Sequence, residues 1–211
     1  MNCKKITKMP TGKLLQAAAM ALLVAGASVS CTSSSSSKTN DCPDGTIIGG
    51  TYDKIVIERF VECSVVDVLV TGHVRVKNAE QFTMQGSIVS GDVKVINTAS
   101  ATLASNLVFN GNIIAKGNAE SSFLGNVVFG GDMLVNVDQP PEQEQLVEVE
   151  ENQVIDGTLQ VSNNDAAIVR KNTVRDGDII CENNDELFAY YNNTTDGVEN
   201  CSKIIFEDSE I

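Results

Sequence analysis

Glycine recurs at positions 72, 91, 111, 131, 157, 177 and 197, in steps of 19, 20, 20, 26, 20 and 20. Few folds tolerate such a ruler. Counting forward two residues from each of the first six gives Val74, Val93, Ile113, Met133, Leu159 and Ile179. Counting forward four gives Val76, Val95, Ala115, Val135, Val161 and Cys181. Polar residues lie between and beside them, which is the period-two alternation of a strand with one buried face. Counting back three gives Leu69, Ile88, Val108, Val128, Val154, Val174 and Thr194, expected as a second inward column. Counting back eight gives Thr83, Leu103, Phe123, Val149, Val169 and Ala189. Five before the glycine stand Gly86, Asn106, Asn126, Asn152, Asn172 and Asn192. A looser asparagine column, six after it, holds Asn78, Asn97, Asn163 and Asn183.

A unit of about 20 residues with two or three short strands cannot bury an apolar face alone, so the units must stack. Winding each unit into one turn of a coil puts equivalent residues about 4.8 Å apart. Stacked asparagine amides then hydrogen-bond along their column at Asn106, Asn126, Asn152, Asn172 and Asn192. Glycine is expected to supply a turn conformation that a Cβ disfavours. The alternative is an antiparallel sandwich turning at each glycine, but a sandwich requires no asparagine columns in register.

The period, the aliphatic columns and the asparagine ladder resemble the right-handed parallel β-helix of the pectin-lyase-like superfamily. The resemblance covers residues 43–201 and implies an all-β solenoid of about seven to eight coils. That fold hosts lyases, hydrolases, adhesins and scaffolds, so it does not by itself imply an activity.

Cys42, Cys63, Cys181 and Cys201 allow three pairings. Cys181 and Cys201 hold the same place in successive units, and Cys42 and Cys63 are again one coil apart. The expected bridges are therefore Cys42–Cys63 and Cys181–Cys201, one near each end of the solenoid, where coils lack a neighbour.

Lys4, Lys5, Lys8 and Lys13 precede an apolar run over 14–30, the pattern of a secretory leader. Cys31 follows directly, in ASVSC, which resembles a bacterial lipobox with Ser28 in place of the usual leucine. The resemblance implies acylation of Cys31 and attachment to a membrane, the outer one given Thr32; an ordinary cut after Ala27 or Ser30 is the alternative. The expected organisation is a leader over 1–30, a lipidated Ser-rich tether over 31–42, the β-helix over 43–201 and a tail over 202–211. The whole chain carries a net charge of −13. Without the leader, 11 Lys and Arg oppose 28 Asp and Glu, a net charge of −17. Such a surface repels nucleic acid. The extra residues of the 26-residue step fall in DQPPEQEQ, 138–145, expected as a stiff loop beside the coil.

The sequence holds one His and no GxSxG, HExxH or phosphate-loop motif. A mixed-charge wall is expected from His73, Arg75, Lys77, Asp92, Lys94, Lys116 and Asp132. Lyases on this fold have a similar wall: carboxylates hold calcium against a uronate while Arg or Lys takes a proton. By that resemblance Arg75, Lys94, Asp92 and Asp132 are the catalytic candidates. Asp156, Asp176, Asp178 and Asp196 form an acidic set that suits Ca2+, although Asp-Gly is also favourable turn chemistry. Tyr190 and Tyr191 offer one aromatic to a sugar ring. The balance favours a non-catalytic envelope module that holds a polysaccharide or an envelope protein. A small polysaccharide lyase and a calcium-stabilised adhesion domain are the alternatives.

Overall fold

The computed structural model describes residues 37–39, 42, 45–59, 61–136, 146–189 and 193–201. It is an all-β parallel solenoid of about seven turns. Each turn contributes a strand to each of three faces. The first face contains Val74–Lys77, Val93–Ile96, Ile113–Lys116, Met133–Asn136, Leu159–Ser162 and Ile179–Glu182. The second runs from Thr46–Ile48 and Glu62–Val66 through Gln81–Gln85, Ser100–Ala104, Glu120–Leu124, Leu146–Glu150 and Ala166–Arg170 to Glu186–Ala189. The third contains Leu69–Val70, Ile88–Val89, Leu107–Phe109, Val127–Phe129, Gln153–Ile155, Thr173–Arg175 and Thr194–Thr195. Thr51–Ile57 is long enough to serve two faces: Thr51 and Tyr52 pair with Leu69 and Val70, while Ile55 to Ile57 pair with Val74 to Val76.

Alternation places every second side chain in one continuous core. Val74, Val93, Ile113, Met133, Leu159 and Ile179 stack in register and are fully buried, as the glycine count implies. The other two faces need a correction. The inward column of the third face is Val70, Val89, Val108, Val128, Val154 and Val174, and Leu69 and Ile88 point outward, 39% and 40% exposed. On the second face Met84 is inward where Thr83 was expected, and at the next corner Ser87 takes the place assigned to Gly86. One cause explains all three. Later turns carry an extra left-handed residue before the glycine: Asn110, Gly130, Asp156 and Asp176 have φ of 53°, 66°, 59° and 55°. The turns ending at Gly72 and Gly91 lack it, so counting back from those glycines is off by one.

The glycine column itself has a different basis from the one expected. None of Gly72, Gly91, Gly111, Gly131, Gly157, Gly177 and Gly197 has a left-handed φ. They stack backbone on backbone. A Cβ at Gly91 would lie 2.7 Å from the Gly72 carbonyl oxygen, and at Gly111 or Gly131 it would meet the preceding glycine's backbone more closely still. Glycine is needed here for close approach between turns.

Both disulfides form, Cys42–Cys63 and Cys181–Cys201, with Cα atoms 5.8 and 4.8 Å apart. Ser37–Thr39, inside the segment expected to be a plain tether, pairs in parallel with Thr51–Ile57. The first turn leaves a strand edge open, and a short polar strand covers it. Leu146–Glu150 re-enters in register with Glu120–Leu124.

Candidate functional site

Each corner between faces is held by polar side chains that bond from turn to turn. Between the second and third faces, Asn106, Asn126, Asn152 and Asn172 are buried. The Asn106 backbone N–H donates to Oδ1 of Asn126 at 3.1 Å, and Asn126 N–H to Oδ1 of Asn152 at 2.9 Å. Each amide nitrogen also donates to a carbonyl of the second face: Asn106 to Met84, Asn126 to Leu103, Asn152 to Phe123 and Asn172 to Val149, at 2.8 to 2.9 Å. Asn193 continues this ladder. It accepts from Asn172 N–H at 3.0 Å and donates to the Val169 carbonyl at 3.1 Å. The expected rung was Asn192, which lies outside the described residues. The register explains the difference: Thr173 pairs with Thr194, 21 residues on.

A second ladder, missed in the sequence, lines the corner between the first and second faces. Thr98 N–H donates to Asn118 Oδ1 at 2.9 Å, and Asn164 N–H to Asn184 Oδ1 at 3.1 Å. The visible signal was the column one residue earlier. Asn78, Asn97, Asn163 and Asn183 have φ of 52° to 55°, the left-handed turn that lets the next side chain point inward.

The third corner contains two of the catalytic candidates. Asp92 Oδ1 accepts the Asn112 backbone N–H at 2.9 Å, Asn112 Oδ1 accepts that of Asp132 at 2.7 Å, and Asp132 Oδ1 accepts that of Thr158 at 2.8 Å. Asp178 accepts from Val198 N–H at 2.7 Å. Lys94 Nζ is 2.9 Å from Asp92 Oδ2, and Arg75 Nε is 4.0 Å from Glu58. Burial pushes the Asp92 carboxyl up, but hydrogen bonds from Asn112 and Lys94 and the Lys94 charge hold it below its usual value.

The expected wall therefore separates into columns. Arg75 and Lys94 are cross-strand neighbours, and Ile114 and Leu134 follow them in register. His73 is exposed and stands in the corner column before Asp92. Asp92 and Asp132 are two turns apart, about 10 Å at strand spacing, with Asn112 between them. Oxygens sharing one calcium each lie within about 2.6 Å of it.

The acidic set is similarly divided. Asp156 and Asp176 occupy left-handed corner positions, Asp178 belongs to the hydrogen-bonded column beyond the glycine, and Asp196 is exposed. Among the described residues no group of three or more His, Cys, Asp or Glu could hold a metal ion. Cys31, Tyr190, Tyr191 and the 138–145 segment lie outside the described residues.

A further charged cluster, also missed, lies at the edge of the second face. Arg170 Nη2 is 2.6 Å from Glu150 and 3.4 Å from Glu148, and Lys171 Nζ is 3.1 Å from Glu150 and 3.0 Å from Glu151. Burial pushes Glu150 up, yet hydrogen bonds from Lys171 and Arg170 outweigh it and hold the carboxyl low.

The two disulfides suit an oxidising compartment outside the cytoplasm. Compared with known protein families, curated proteins and solved structures, the chain matches none. What the fold and corners define is a parallel β-solenoid whose corner Asn and Asp side chains join turn to turn.

Proposed function

We propose that this chain is a lipid-anchored envelope protein of the pectin-lyase-like fold group, whose solenoid is a non-catalytic structural or ligand-binding module. The observation that carries this reading is the use of the catalytic candidates. Asp92 and Asp132 each bond the backbone of the next turn, and Lys94 is paired to Asp92. The carboxylates are thereby engaged in joining turn to turn and the Lys94 amine in bonding Asp92 of its own turn, which leaves none of the three directed at a substrate. Long ladders of equivalent side chains repeated from turn to turn suit contact with an extended polymer such as a glycan, or with an envelope protein.

The test is incubation with a panel of polyuronates, with and without calcium, following ultraviolet absorbance of unsaturated products. No absorbance rise is expected. A rise abolished by Lys94→Ala in a folded protein would establish the lyase alternative. The anchor is tested separately: labelled palmitate should incorporate into the wild-type chain and not into Cys31→Ser, and equal labelling would remove the anchor from the proposal.

A further inference from the structure

The outward side of the third face is apolar over several rungs. Leu69, Ile88, Leu107 and Val127 form one exposed or half-exposed column. Beside it Phe109 and Phe129 stack, with ring centroids 5.3 Å apart and planes 9° from parallel. Following the inward column from Tyr52 to Thr195, the next outward residue is Asp53 on the first rung, an uncharged residue on the second to sixth, Arg175 on the seventh and Asp196 on the eighth. The strip is therefore uncharged for five rungs, bounded by the acid Asp53 on one side and the base Arg175 on the other, with Asp196 one rung beyond Arg175. Asp53 and Arg175 are both exposed, and neither is in an ion pair with another described residue.

We propose that this face pairs with its counterpart in a second copy of the chain, the two solenoids antiparallel about a two-fold axis through the Leu107–Phe109 rung. The charge pattern selects this partner. The first and seventh rungs are equidistant from the fourth, so the axis sets Asp53 of each copy against Arg175 of the other, twice. The same operation sets Phe109 on Phe109 and Ile88 against Val127. An interface of this kind is self-complementary, as two-fold contacts require. It also joins two chains of net charge −13 along five rungs whose outward side chains are uncharged. From the Asp53 rung to the Arg175 rung the contact is about 29 Å long and about 10 Å wide at strand spacing. That is well below the ~800 Å² per partner of a standard interface, so the pairing is reversible and needs high local concentration. It stands apart from the functional proposal, which neither requires nor excludes it.

Sedimentation velocity of the purified protein over a hundredfold concentration range tests it. A concentration-dependent dimer is expected. Asp53→Arg or Arg175→Asp alone should weaken it at least tenfold, because each creates two like-charge contacts. The double reversal in one chain should restore it, with circular dichroism unchanged throughout. A monomer at every concentration would overturn the proposal. So would a dimer indifferent to the single reversals, or one that the double reversal fails to restore.

Discussion

Adjacent glycines test what the column requires. Gly130 has φ of +66°, and an added Cβ would be 3.5 Å from Asn110 Oδ1; Gly131 has an ordinary φ but sits on the Gly111 backbone. Gly130→Ala should cost about 1–2 kcal/mol, the usual penalty for a Cβ in the left-handed region. Gly131→Ala should cost more than Gly130→Ala in urea unfolding, because two backbones must separate. The reverse order would mean that conformation, and not stacking, selects glycine there. Asn126→Ala removes the acceptor of Asn106 N–H and the donor to the Leu103 carbonyl. Each buried group left unsatisfied costs roughly 1–3 kcal/mol. A loss of about 3 kcal/mol or more is expected from the same measurement.

At the scale of strands and corners, the count of residues per turn was legible and their division among the three corners was not. A period reports the total. It cannot say whether the residue absent before Gly91 was taken from a strand or from a corner, so the backward count set Leu69, Ile88 and Thr83 one residue out of their columns. Asn106, Asn126, Asn152 and Asn172 were legible because identical side chains recur at one offset. The Asn118, Asn164 and Asn184 positions were hidden beside a column of the same residue type. Asp92 and Asp132 read as free carboxylates because a sequence does not show which backbone N–H lies above them. The end turns make their own prediction. Closing a loop of about 20 residues contributes roughly 3 kcal/mol in the entropic account. Reducing Cys181–Cys201 should therefore speed hydrogen exchange over 179–182 while leaving 107–129 protected. Uniform deprotection would mean that the solenoid unfolds as one unit.

Over the whole molecule, charge is unevenly spread. Residues 45–136 carry 8 acids and 6 Lys or Arg, whereas residues 146–201 carry 12 and 3. Self-repulsion is concentrated toward the C-terminal turns. Raising salt from 20 to about 500 mM, where the Debye length is only a few ångströms, should raise the melting temperature. A fall would show that ion pairs such as Arg170–Glu150 outweigh the repulsion. The pH dependence follows from Asp92 and Glu150, whose carboxyls are held low in the folded state. A group of that kind adds stability above its unfolded value, near 4, and the contribution fades as pH falls through the folded value. Between about pH 4.5 and 2, wild type should therefore lose more stability than Asp92→Asn. Parallel curves would mean that the carboxylate contributes nothing through its ionised form.

The return of Leu146–Glu150 to register after a 26-residue glycine step carries a consequence for how such a chain changes over time. Rungs on either side of the interruption pair as if it were absent, with Glu120 against Leu146 and Leu124 against Glu150. Insertions at a corner are thus invisible to the ladder, while a single residue gained or lost within a strand would reverse which side chains face inward along it. Such a lineage can diversify by grafting new segments at corners and by duplicating whole rungs, and the spacing of its glycines preserves the record of both.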